Sequence, residues 1–199
     1  MNLLLPRATQ PVMPWANGGG STRQVAIEPA DGSLATGFDW RVSCAHLGSD
    51  GPFSSLPGVD RSLWLLAGRG VRLVLDGREL ALTERLQRVD FAGEATVTSH
   101  LLDGPCEDLN VMTNRTRVAA AADVVALTPG EVLPLPAAPA WLVLVLDGAC
   151  SLAPDDVVLA AGDALRGEPG VGAVPPELRA RTAGHALVVG FHPRPGGRP

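Results

Sequence analysis

The 199-residue sequence contains no lysine and no tyrosine, and it carries only three cysteines and four histidines. All 16 basic side chains are therefore arginine, against 21 acidic ones, for a formal net charge of −5. The arginines are scattered and form no basic run able to track a phosphate backbone, which argues against nucleic-acid binding. Cys44, Cys106 and Cys150 make no C-x-x-C and cannot all pair, which argues against a disulfide-stapled secreted scaffold. The chain opens with a run of three leucines and no basic n-region, unlike a signal peptide. Its longest strongly apolar stretch, Ala140–Leu146, is too short to span a bilayer. These absences predict a soluble, cytoplasmic protein that docks on neither nucleic acid nor membrane.

The parts needed for metal and nucleophile chemistry are also scarce. His46, His100, His185 and His192 form no H-x-H or H-x-x-x-H pair, and no Cys/His cluster has zinc spacing. There is no G-x-S-x-G, and Cys44 sits in an expected strand, where it reads as a small buried hydrophobe. Gly18-Gly19-Gly20-Ser21-Thr22 resembles a phosphate loop, but no lysine follows it, so neither a P-loop nor a dinucleotide site is expected. No metal and no cofactor is expected.

Turn residues are what the chain has in excess. The 23 glycines and 18 prolines make up a fifth of it, where about 12% is ordinary. That leaves little room for long helices, while a hydrophobic share of 46% is enough for a core. Strands are expected at Phe38–Ala45, Ser62–Leu66, Val71–Leu75, Glu79–Leu82, Thr96–Leu102, Leu142–Leu146, Val157–Leu159 and Ala186–Phe191. Asp76-Gly77 reads as a tight hairpin turn between two of them. Helix signals are confined to Pro176–Arg181, with room for a turn or two, and to the short Ala-rich stretch Arg117–Asp123.

A faint repeat suggests two lobes. An apolar strand, a glycine turn and further strands recur from Leu63–Gly68 and again from Leu142–Gly148. This is what a small all-β, cupin-like double-layered barrel (a double-stranded β-helix) would show, and any tandem hairpins would look similar. The lobes are placed at residues 1–118 and 119–199, with Pro134, Pro136 and Pro139 as a stiff connector.

Several segments are chemically dense. Pro14–Arg23 sets three glycines between a tryptophan and an arginine, which lets the backbone approach another group closely. In Phe38–Ser43, alternation puts Asp39, Arg41 and Ser43 on one face and Trp40 and Val42 on the other. Gly51–Arg61 is a turn-rich loop leading into the Trp64 strand, and Asp108, Asn110 and Met112 share a face of the next dense segment. The residues point to Arg23, Arg41 and Arg61 converging with Asp108 and Asn110 on a polar pocket inside the first barrel. Inward arginines need anions, because an unpaired buried guanidinium is costly. The alternative is that each arginine makes a structural pair, with Asp39, Asp60 or Asp108.

The blocks PWANGGGSTR (14–23), FDWRVS (38–43), DGPFSSLPGVDR (50–61), LLAG (65–68), LLDG (101–104) and DLNVMTNR (108–115) resemble the HutD/Ves family, and the HutD branch more than the Ves branch. The resemblance covers residues 1–118 strongly. It implies a bicupin without the usual cupin metal ligands, and a regulator or sensor that accompanies histidine-utilisation enzymes. By position it marks Trp15, Asn17, Gly19, Gly20, Thr22, Arg23, Arg41, Ser43, Arg61, Asp108, Asn110, Met112 and Arg115 as ligand-binding. Ala16 and Gln24 stand where the family often has a basic and an acidic residue.

The expected function is therefore a non-catalytic protein of histidine catabolism that binds a small carboxylate, with urocanate, formylglutamate and formiminoglutamate as candidates. A metal-independent enzyme acting on a small carboxylate, with Asp108 as its acid/base group, is the second expectation. An interaction protein with a vestigial pocket is the third. The reading leaves room for a homodimer.

Overall fold

A computed structural model describes residues 2–167 and 176–195 of the chain. Among them there are strands, turns and one short 3-10 helix at Arg7–Thr9, and no helix is long and apolar enough to cross a membrane. The chain divides into two compact units, one formed by residues 11–118 and the other by residues 2–10 with 119–194. The first residues thus belong with the C-terminal unit, not with the first lobe as a 1–118 division has it. The physical reason is strand pairing: β1 (Asn2–Leu5) lies antiparallel to a strand at Ala164–Gly167, with Leu4 opposite Leu165.

The unit formed by residues 11–118 contains β2 (Val12–Pro14), β3 (Gly20–Glu28), β4 (Trp40–Leu47), β5 (Gly51–Pro52), β6 (Val59–Ala67) and β7 (Val71–Leu75). It continues with β8 (Arg78–Leu82), β9 (Arg88–Ala92), β10 (Val97–Leu101) and β11 (Cys106–Asn114). One sheet runs β2-β3-β4-β11-β6-β9 and the other β5-β10-β7-β8. The β7–β8 hairpin turns on Asp76 and Gly77, both in the left-handed region at φ 46° and 83°. That is the geometry an Asp-Gly pair provides for a right-twisted hairpin. Leu63, Leu65, Val71, Leu73, Leu82 and Val97 fill an apolar core between the sheets. Trp64 points the other way and is still buried, with the Arg88 guanidinium 4.7 Å from its ring.

The second unit adds β12 (Val118–Leu127), β13 (Ala140–Asp147), β14 (Ala149–Leu152), β15 (Val157–Ala160), β16 (Ala164–Gly167), β17 (Leu178–Ala180) and β18 (Gly184–Pro193). Its sheets are β1-β16-β13-β18-β12 and β15-β14-β17, around a core that includes Trp141, Val143, Val145, Leu165 and Leu178. Both expected helices are strands. The Ala-rich stretch lies in β12 beside β18, and Leu178–Ala180 pairs with β14. Sheet partners outweigh the intrinsic helix preference of alanine, which amounts to under about 1 kcal/mol per residue.

Leu73 is fully buried in the first core. Leu73→Ala should lower stability by about 2–5 kcal/mol, read from the urea midpoint; a loss below about 1 kcal/mol would mean that this core is not close-packed.

Candidate functional site

The chemistry gathers on one face of the six-stranded sheet in the unit of residues 11–118. Strand alternation and register stack the inward side chains in rows across neighbouring strands. Ile27, Arg41, Met112 and Arg61 form one row; Gln24, Ser43, Asn110 and Leu63 form the next; Thr22, Ala45, Asp108 and Leu65 form the third. A bulge in β3 between Gln24 and Ala26 switches the strand's parity. It lets Gln24 and Ile27 both face inward, as a single extra residue must. The rows floor a cavity of about 680 Å³ in which Arg41, Ser43, Arg61, Asp108 and Asn110 are buried. Its rim carries Met13, Pro14, Trp15, Asn17, Leu34 and Phe53.

A hydrogen-bonded chain crosses this floor. Arg61 Nη2 donates to Asn110 Oδ1 at 2.8 Å, and Asn110 Nδ2 donates to Asp108 Oδ1 at 2.7 Å. A guanidinium can only donate, so the Asn110 amide must turn its oxygen to Arg61 and its NH2 to Asp108. The Arg61 guanidinium lies against two neighbouring phenyl rings, 5.1 Å from the Phe53 centroid and 4.9 Å from that of Phe91. Such cation–π contacts strengthen when water is excluded. Arg41 Nε donates to Gln24 Oε1 at 2.9 Å.

Burial pulls both arginines below their ordinary pKa, Arg61 to about 10. Both remain cationic at neutral pH. Burial also pushes the Asp108 carboxyl up to about 7, against the pull of the Arg61 charge and of hydrogen bonds from Asn110 and the Ala45 backbone. The lining therefore holds two guanidiniums and one carboxyl, and that carboxyl gives up its charge readily. Each guanidinium carries several N–H donors, and among the described residues each has a single acceptor, while Arg61 Nε is buried with none. The floor is cationic and short of acceptors, a setting complementary to an anion. The cavity lining holds one carboxyl and no His or Cys, a donor set that does not fit a divalent cation. Among the described residues no three His, Cys, Asp or Glu side chains come together.

Of the residues expected at the site, Trp15, Asn17, Thr22, Arg41, Ser43, Arg61, Asp108, Asn110 and Met112 line the cavity. Arg23, Arg115, Gly19 and Gly20 do not. Arg23 lies between the two inward residues Thr22 and Gln24, so alternation turns it to the opposite face of β3. Arg115 is a structural clamp: Nε binds Asp60 at 2.6 Å, Nη1 binds Glu94 at 2.7 Å, and Nη2 binds the Val59 carbonyl at 3.2 Å. Gly20 supports the site from behind. A Cβ there would strike the His46 carbonyl and come within 2.9 Å of the Trp15 ring. The Trp15 indole in turn donates to Thr22 Oγ1 at 2.8 Å, and Asn17 Oδ1 caps the Gly19 N–H at 3.0 Å.

Gln24, Phe53 and Phe91 were missed. Gln24 was legible, because it shares a strand face with Thr22. The two phenylalanines were not, because Phe91 meets Arg61 only through the β6–β9 register that sets them directly opposite, and the contact of Phe53 from the β5–β6 loop is purely tertiary.

A family model described as HutD matches residues 7–188. An uncharacterized 21.2 kDa protein in the hutC 3′ region of Pseudomonas putida is 36% identical over 109 residues, 55% of this chain and 56% of that protein. Protein Ves of Cronobacter sakazakii is 40% identical over 115 residues, 57% of this chain and 61% of that protein. The chain thus matches little more than half the length of these relatives. The solved structure of HutD from Pseudomonas fluorescens SBW25 is 26% identical, covers 98% of this chain and 100% of its own, and superposes with a TM-score of 0.81. A cupin 2 conserved barrel domain protein from Leptotrichia buccalis, 13% identical and covering 84% of this chain and 86% of its own, shares the fold at a TM-score of 0.57. The all-β, cupin-like architecture is therefore as expected.

Folded Asp108 keeps its proton to about pH 7, whereas an unfolded aspartate releases it near about pH 4. The folded state binds more protons between those values, so this residue's contribution to stability falls as pH rises through the window, by on the order of 4 kcal/mol. Asp108→Asn should gain stability relative to the wild type between pH 5 and 8 in urea titrations. Parallel profiles for the two proteins would show that Asp108 ionises normally. Gly20→Ala should lower the thermal midpoint and change the fluorescence of Trp15, and an unchanged midpoint would show that no close approach exists there.

Proposed function

The chain belongs to the HutD family, and we propose that its first-unit cavity binds a small carboxylic acid of histidine breakdown as a non-catalytic sensor. The family is linked to the histidine-utilisation region, as the hutC-region relative also suggests. The observation that carries the reading is the pair of buried guanidiniums, Arg41 and Arg61, whose N–H donors outnumber the acceptors around them. A carboxylate supplies two acceptor oxygens and a negative charge in the planar geometry that a guanidinium fork matches. The apolar rim of Met13, Trp15, Leu34 and Phe53 suits the body of a small organic acid. Urocanate, formylglutamate and formiminoglutamate have this chemistry. A binding role without turnover is supported by the lining, which pairs no hydroxyl with a histidine base.

Calorimetric titration with these three acids tests the proposal. At least one should bind, and Arg41→Ala and Arg61→Ala should each lose about 1.5–3 kcal/mol, or roughly 10- to 150-fold in affinity. Absence of heat with all three acids, or full affinity in both variants, refutes the reading.

One observation favours a second reading, a metal-independent enzyme acting on a small carboxylate. Asp108 sits in the cavity with its carboxyl raised to about 7, the range in which an acid/base group works at neutral pH. Turnover of any of the three acids by metal-free protein, lost in Asp108→Asn, would establish it. Unchanged substrate after long incubation would leave binding alone.

A further inference from the structure

We propose that when a carboxylate occupies the cavity, Asp108 takes up a proton, and that Asp108 acts as a positioning residue for Arg61 through Asn110. The inference rests on the proposed binding of a small acid and adds how that site responds to pH.

Asp108 is 2% exposed and is the one carboxyl lining the cavity among the described residues. The charged and titratable groups around it come from three strands. Arg61 acts on it from β6, Arg41 stands two rows along the same face of β4, and Cys106 shares its face of β11. Glu107 and His46 sit opposite each other, and alternation turns both to the other face of the sheet. The inward residues of β3, Thr22 and Gln24, do not titrate at neutral pH. Without a ligand, the Asp108 charge is the one negative charge lining the cavity among the described residues, and it acts on Arg61.

An entering carboxylate changes that balance. It brings a second negative charge into a space where water screens poorly, close to a carboxylate that the protein already solvates badly. Repulsion between the two is relieved if Asp108 takes a proton, which leaves both guanidiniums to the ligand. The hydrogen-bond frame survives this change. Arg61 only donates, so Asn110 keeps its oxygen toward Arg61 and its NH2 toward Asp108. A protonated carboxyl still has an oxygen that can accept from that NH2. The Arg61 guanidinium, packed against Phe53 and Phe91, therefore stays aimed while the charge behind it disappears. Burial has already raised the Asp108 carboxyl toward neutrality, so little free energy is needed to complete the transfer.

The test is calorimetry of the full chain with N-formyl-L-glutamate, whose carboxyls ionise below about pH 5 and leave nothing to titrate above it. At pH 8 the observed heat should differ between triethanolamine and Tris buffers, which have different ionisation heats, reporting uptake of most of a proton. Affinity should be flat below about pH 6.5 and weaken by up to about tenfold per pH unit above neutrality. Asp108→Asn should flatten that profile. Binding with buffer-independent heat and a flat profile from pH 6 to 9 overturns the coupling and leaves the binding reading standing. No binding of formylglutamate, urocanate or formiminoglutamate at any pH overturns both. Should Asp108→Asn not fold, the wild-type buffer comparison decides alone.

Discussion

The Arg61–Asn110–Asp108 chain on the floor of the first unit is the constraint around which the site is built. Two short hydrogen bonds, 2.8 and 2.7 Å, join a cation to a carboxyl through an amide that can point only one way. A charge at such depth carries a large desolvation cost unless it is paired and bonded. The surroundings meet that cost in part. Two neighbouring phenyl rings lie against Arg61, Gln24 holds Arg41, and a half-neutralised Asp108 offsets part of the positive charge. The remainder of the cost is what an anion entering the cavity would offset.

The fold makes this arrangement rigid. Arg61, Asn110 and Asp108 stand on β6 and β11, neighbouring strands in the middle of a six-stranded sheet. Arg41 and Gln24 stand on β4 and β3, the next two strands of the same sheet. A site on strands holds its side chains more tightly than one on loops. Apolar clusters flank the polar rows. Leu63, Leu65 and Ala45 belong to one, and Ile27, Val59 and Met112 to the other. The glycine-rich turn from Trp15 to Gly20 adds the rim, because Gly20 lets the Trp15 ring lie against the start of β3.

Arginine does two different jobs in this chain, and exposure separates them. Arg115 and Arg117 sit at the surface with carboxylate partners, Asp60 and Glu94 for the first and Asp39 for the second. Exposed pairs of this kind contribute little to stability, a median of about 0–1 kcal/mol, but they tie loops to strands. Arg41 and Arg61 are buried and have one acceptor each among the described residues. The structural pairing weighed for the arginines thus accounts for Arg115 and Arg117, whereas on the cavity floor Arg61 reaches Asp108 only through Asn110 and Arg41 bonds an amide.

Sequence alone determined the all-β class, because a fifth of the chain is glycine or proline and the strands between the turns alternate. It determined the Asp76-Gly77 hairpin, since that pair accepts the left-handed backbone the turn requires. It also determined the inward face of β4 and β11, because a period of two needs no knowledge of neighbours. Other features depended on contacts between distant segments. The first residues joined the second unit because β1 found its partner in β16. The Ala-rich β12 became a strand because a sheet edge was there to receive it. Alternation along β3 was enough to turn Arg23 away and Gln24 inward, but the bulge after Gln24 that returned Ile27 to the same face came with pairing to β4. The packing of Phe53 on Arg61 and the raised carboxyl of Asp108 exist only once distant segments close over them. Desolvation is a property of the assembled barrel, and no residue carries it alone.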